Sequence, residues 1–140
     1  MAFTEEIVFR GYPLITLKNK IGTIAALVIT SLLFGLYHLA FGWGITGFFS
    51  TTIWGLIFGL SAIYSNGISM STGLHSAANL TQLIFGITGS SYSIWNVVYR
   101  DGRPVKNFLN NPLSQVIVDL ILLTLVIICI KWVLRNRNYR

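Results

Sequence analysis

From Ile21 to Phe41 the chain runs without a formal charge, and from Gly44 to Ser65 it does so again. About 20 consecutive apolar residues are enough for a helix to cross the hydrocarbon of a bilayer. Two such runs, almost end to end in a chain of 140 residues, leave little room for a water-soluble alternative. Of all residues, 54% are hydrophobic and 10% charged, against about 25% charged in soluble domains. A small soluble domain buries only a limited share of its apolar surface, so this chain needs lipid as its solvent. A soluble helical bundle is the weaker reading.

The same criterion predicts an all-α, multi-span transmembrane bundle with four full spans, forming one domain over residues 1–140. The first span is 21–41 and the second 44–65. In the second, Gly47, Thr51, Gly55 and Gly59 recur every four residues, a small-residue stripe that lets helices approach closely in lipid. Ser65-Asn66-Gly67 signals a turn. The third span, 68–88, is more polar. Ser71, His75, Asn79, Gln82 and Gly86 follow one another at helical steps, so one face should look into the bundle or a cavity. Residues 89–112, with their Gly, Ser, Asn, Asp and Pro, read as the one long loop, with Tyr92, Trp95 and Tyr99 at the membrane interface. Residues 113–134 form the last span. Asp119 is an isolated acid there, placed near the membrane edge and given no catalytic role. Cys129, the single cysteine, can make no internal disulfide.

Residues 1–17 predict a short amphipathic helix, with Gly11 and Pro13 as its stop signal. Such a helix is too short to span, so missing N-terminal helices or a partner are expected to complete the bundle. The chain opens on carboxylates rather than on a basic segment and an apolar run, so no cleavable signal peptide is read. The net charge of +6 concentrates at membrane flanks: Lys18 and Lys20 before the first span, and Lys131, Arg135, Arg137 and Arg140 at the close. Four spans put both clusters on one side, and the positive-inside rule puts that side, with the C-terminus, in the cytoplasm. No basic and aromatic platform is interleaved, so nucleic acid is not an expected partner. Membrane lipid is.

Against this background the polar residues stand out. A charged side chain at the centre of a membrane helix costs at least about 2.5–3.5 kcal/mol. Glu6 and Arg10 are four apart and can pair on one helical face. Glu5 points about 100° away and is left for other work. His75 and Asn79 are also four apart, giving two hydrogen-bond donors on one face, an arrangement able to stabilise an oxyanion. His38 comes from another helix. Glu5 serves as a general base if it meets His38 across a small wet cavity. Singly, each has a plain explanation: an interhelical histidine, a structural ion pair, and Phe34 as packing one turn from His38. Asn79-Leu80-Thr81 is a glycosylation sequon discounted at membrane depth. Jointly they require three coincidences at compatible spacings.

The three segments, Glu5-Glu6-xxx-Arg10, Phe34-xxx-His38 and His75-xxx-Asn79, resemble in kind and order the motifs of the CPBP family of intramembrane proteases. That family includes the CAAX prenyl endopeptidases and bacterial abortive-infection-type proteins. The resemblance covers about residues 5–90. It implies an endopeptidase in which Glu5 and His38 activate water, His75 and Asn79 hold the oxyanion, and Glu6, Arg10 and Phe34 support them. The substrate it implies is a peptide or membrane protein, in a bacterial cytoplasmic membrane. No cofactor is required in the favoured reading, although two His and one Glu can also hold zinc or another divalent metal with an open position. The alternative is a catalytically inactive membrane protein of the same family that binds a partner, as in bacteriocin self-immunity. A third reading, His38 and His75 as haem ligands, is removed by an absorption spectrum without a Soret band.

Overall fold

The computed structural model describes residues 1–85, 94–95, 100–101 and 111–137, and these contain helices and no strand. The chain begins with α1 (Ala2–Glu6), a π-helical turn over Ile7–Gly11, and α2 (Tyr12–Ile21). It continues with α3 (Thr23–Ala40), α4 (Gly44–Ser65), α5 (Ile68–Ile84) and α6 (Pro112–Arg137). α3 lies along α4, α2 on α3, α1 against α5, and α5 and α6 each against α4.

The expected stop at Gly11 and Pro13 is not where the first helix ends. Helical backbone runs unbroken from Ala2 to Ile21. The π turn steps the hydrogen-bond ladder by one residue immediately before Pro13, where an α ladder would in any case lack a donor. Pro13 then sits in the first turn of α2, where its missing N–H matters least. The true stop is Gly22, whose φ of +86° favours glycine and lets α3 fold back along α2. The expected short motif helix is therefore a long one, and Glu5, Glu6 and Arg10 stand on a well-anchored element.

Among the described residues, small polar side chains share the interior with Leu14, Ala26, Phe34 and Phe58, and large apolar ones cover the outside. Thr30, Ser31, Thr51, Ser61 and Ser71 are buried, while Ile24, Val28, Leu32, Leu36, Ile45 and Phe49 are exposed. The buried hydroxyls donate to backbone carbonyls of their own helices: Thr30 to Ala26 at 2.9 Å, Ser31 to Leu27 at 2.7 Å, Thr51 to Gly47 at 2.7 Å and Ser61 to Phe58 at 2.8 Å. Such pairing lets small polar residues line a helix interface without seeking water. An outer surface this apolar suits lipid.

Two helices, α3 and α4, are long and apolar enough to cross a membrane. Among the described residues these are the two of the four expected full spans that meet that criterion. α5 has 17 residues and carries the polar stripe, and α6 is uncharged in sequence from Leu120 to Ile130. The expected loop falls largely outside the described residues, as do the side chain of Cys129 and those of the basic tail beyond Lys131. Asp119 is buried at the contact of α6 with α4 and is hydrogen-bonded to Ser50.

The small-residue stripe lies where α4 meets α3. Gly47, Thr51, Gly55 and Gly59 are all buried. A Cβ at Gly55 would sit 3.1 Å from the Cα of Ser31. From the other side, a Cβ at Gly35 would meet the Phe48 carbonyl oxygen at 2.9 Å, as well as the Thr52 hydroxyl. We predict that Gly35→Ala lowers stability by about 1–3 kcal/mol, because the obstacle includes backbone. Gly73, with nothing within 4 Å, is the control: Gly73→Ala should be neutral or stabilising. Thermal melts in detergent distinguish the two.

Candidate active site

The residues singled out in the sequence arrive from three helices. Glu5 and Glu6 end α1, and Arg10 stands on the π turn, so their spacing is fixed locally. Glu6 and Arg10 are fully buried, and Arg10 Nη1 donates to Glu6 Oε1 at 3.1 Å. The second prong, Nη2, donates to the backbone carbonyl of Gly55 on α4 at 3.2 Å. The guanidinium carbon lies 4.2 Å from the centre of the Phe34 ring, a cation–π contact.

α5 brings His75 to the same carboxylate. Its Nδ1 is 2.9 Å from Glu6 Oε1. An ionised carboxylate only accepts, so the shared proton is on Nδ1. The other ring nitrogen, Nε2, faces Glu5 Oε2 at 3.6 Å, too long for a direct hydrogen bond. Phe58 of α4 stacks on the imidazole, with centroids 4.5 Å apart and planes 15° from parallel. Phe34 meets the same ring edge-on at 5.9 Å.

His38 sits on the other side of Phe34, with ring centroids 4.5 Å apart. Its Nδ1 is 2.9 Å from the Phe34 carbonyl. A carbonyl only accepts, so Nδ1 carries a proton, and in the neutral ring Nε2 presents a lone pair. Trp43 and Tyr37 close on this ring edge-on, at 5.0 and 5.3 Å. Asn79 lies one turn beyond His75 on α5 and is exposed. Its amide has no hydrogen bond among the described residues.

Glu6, Arg10, Phe34, His38 and His75 are thus linked, and Glu5 and Asn79 border them. Glu5 also meets His75, at 3.6 Å, an approach that the sequence does not predict. Phe34, read as packing, is the hub: it touches Arg10, His38, His75, Phe9 and Phe58. Phe58 and the Gly55 carbonyl escaped the sequence reading. The glycine stripe marked that face of α4, and Phe58 stands three residues on from Gly55, a helical neighbour.

A catalytic zinc site takes three protein ligands and an open position. Among the described residues no group of three or more His, Cys, Asp or Glu side chains converges in that way. Glu6 Oε1 and His75 Nδ1 are engaged with each other, and His38 Nδ1 with a backbone carbonyl. No three-ligand set is therefore assembled among the described residues, and no step below is routed through a metal.

The family model described as type II CAAX prenyl endopeptidase Rce1-like covers residues 1–81, more than half of the chain and all the residues just described. No curated protein and no solved structure matches.

Proposed function

The chain belongs to the type II CAAX prenyl endopeptidase Rce1-like family, a family of membrane-embedded proteases, and from that premise we propose that it hydrolyses peptide bonds within or at the edge of the bilayer. The observation that carries the reading is the pair formed by Glu5 Oε2 and His75 Nε2, 3.6 Å apart beside the buried Glu6–Arg10 ion pair. Glu5 is free of the hydrogen bonds that hold Glu6, so its carboxylate is the one able to accept a proton from water. The lone pair on His38 Nε2 orients that water. Hydroxide adds to the scissile carbonyl, and the proton on Glu5 passes to the leaving amine as the C–N bond breaks.

His75 supplies the oxyanion donor in this scheme. Its Nδ1 proton is held by Glu6, so donation from Nε2 makes the ring an imidazolium. Two carboxylates, one guanidinium and one imidazolium then sum to zero charge, which suits a buried cluster. Asn79 adds the second donor. Because its amide is exposed and unbonded, Asn79→Ala should lower the cleavage rate by about 10²–10³ with the melting temperature unchanged.

The substrate in this proposal is a peptide or a membrane protein delivered laterally. The remaining spans, α5 and α6, complete the four expected crossings and leave the basic flanks in the cytoplasm; topology reporters fused after Arg140 test that side. Activity is tested with detergent-purified protein and a panel of farnesylated and unprenylated peptides ending in a CAAX sequence. Cleavage of either set above the Glu5→Ala background supports hydrolysis. Wild-type and Glu5→Ala proteins that are equally inert, yet equally protective in cells, would support the inactive partner-binding alternative.

A further inference from the structure

We infer that Phe58 is a positioning residue for His75, so that α4, a helix carrying none of the three motifs, sets the orientation of the imidazole. The hydrogen bond from Nδ1 to Glu6 is one restraint on the ring, and coupled χ1 and χ2 changes can still tilt its plane while keeping that bond. Two contacts remove that freedom. Phe58 lies against one face at 4.5 Å and 15°, and Phe34 presents its edge at 5.9 Å and 84°. With both in place, Nε2 can point only toward Glu5. Phe58 is itself held: it is 2% exposed, tilted against Trp54 at 5.4 Å and edge-on to Phe34 at 6.5 Å.

The same stretch of α4 also acts on Arg10. One turn before Phe58, the Gly55 carbonyl takes the second prong of Arg10. Gly55 also lets α4 approach α3 so closely that a Cβ there would come within 3.1–3.2 Å of Ser31. Backbone contact at Gly55 therefore sets the height of Phe58 over His75. A helix with no ionisable residue of its own in the cluster clamps both groups that bond Glu6.

The effect on rate rests on the proposed hydrolysis; the effect on the ring does not. The chain has two histidines, so their labelled ring signals are readily resolved by NMR in detergent micelles. In the wild-type protein we expect ring-to-ring Overhauser contacts between Phe58 and His75, an upfield ring-current shift of the His75 carbon-bound protons, and Nδ1 protonated. Phe58→Leu keeps an apolar side chain but removes the stacked face. It should abolish the upfield shift and change the His75 ring-nitrogen shifts, and Phe58→Tyr should restore both. With a peptide that the wild type cleaves, Phe58→Leu should lower kcat on the order of 10²-fold with KM little changed. A wild-type protein without Phe58–His75 Overhauser contacts, or a folded Phe58→Leu with wild-type His75 nitrogen shifts, overturns the inference. If Phe58→Leu does not fold, the wild-type Overhauser measurement decides alone. Inert wild-type protein with the expected ring signals overturns the hydrolysis reading and leaves the positioning role standing.

Discussion

Replacing Glu5 by glutamine is expected to lower peptide cleavage by about 10²–10⁴, the contribution of a general base, while the protein folds and inserts normally. Glutamine keeps the size and shape of the side chain and loses only the ability to take a proton. The structure explains why the loss should be confined to chemistry. Glu5 makes no short hydrogen bond; its Oε2 faces His75 Nε2 at 3.6 Å, and its side chain remains 12% exposed. Glu6, next to it, is fully buried and bonded to both Arg10 and His75. Single-turnover cleavage of a farnesylated peptide, read beside a thermal melt, separates the two carboxylates. A Glu5→Gln protein that cleaves at the wild-type rate would sink the assignment of the base.

The second large effect falls on stability. Arg10→Ala should cost about 3–5 kcal/mol, because it breaks the fully buried ion pair with Glu6 and removes the link to the Gly55 carbonyl. Against a total stability of about 5–15 kcal/mol, that is enough to deplete folded protein. Arg10→Lys should recover only part of the loss. Lysine keeps the charge but cannot bond Glu6 and the Gly55 carbonyl together while lying flat on Phe34. Pairing Arg10→Met with Glu6→Gln removes both charges and should fold better than Arg10→Ala alone. The checks are folded yield after detergent extraction and denaturation midpoints in micelles. Equal midpoints for Arg10→Ala and wild type would show that the pair does not hold the helices together.

These two predictions divide neighbouring residues, Glu5 and Glu6, by their surroundings rather than by their chemistry. Half of that division is readable from the chain. Spacing of four along a helix joins Glu6 to Arg10, and the ion pair is there at 3.1 Å. The same local geometry turns Glu5 away. The identity of its neighbour is another matter. Sequence reasoning pairs Glu5 with His38 across water and does not predict His75 at 3.6 Å from it. Periodicity gives angles around one helix axis and says nothing of how two helices are rotated relative to each other.

The first helix shows a similar limit. Gly11 and Pro13 are sound stop signals on local grounds, yet the helix continues to Ile21 through a π turn. A one-residue slip in the ladder absorbs the missing donor, and burial of Glu6, Arg10 and Leu14 against neighbouring helices holds the register. Propensity alone has no term for that support. The polar stripe of α5 divides likewise: Ser71 and His75 are buried as expected, whereas Asn79 on the same face is exposed.

What the sequence by itself determined is therefore local. Its uncharged runs set two long apolar helices, its three motifs set the polar groups on their faces, and their order matches the family. Tertiary structure alone decided which histidine meets which carboxylate, that Phe34 is a hub, and that Gly55 and Phe58 of a motif-free helix clamp Arg10 and His75. The physical reason is range. Hydrogen-bond ladders and side-chain periodicity act over four or five residues, whereas the bond from His75 to Glu6 joins positions 69 apart and exists only once α1, α4 and α5 have found their mutual rotation.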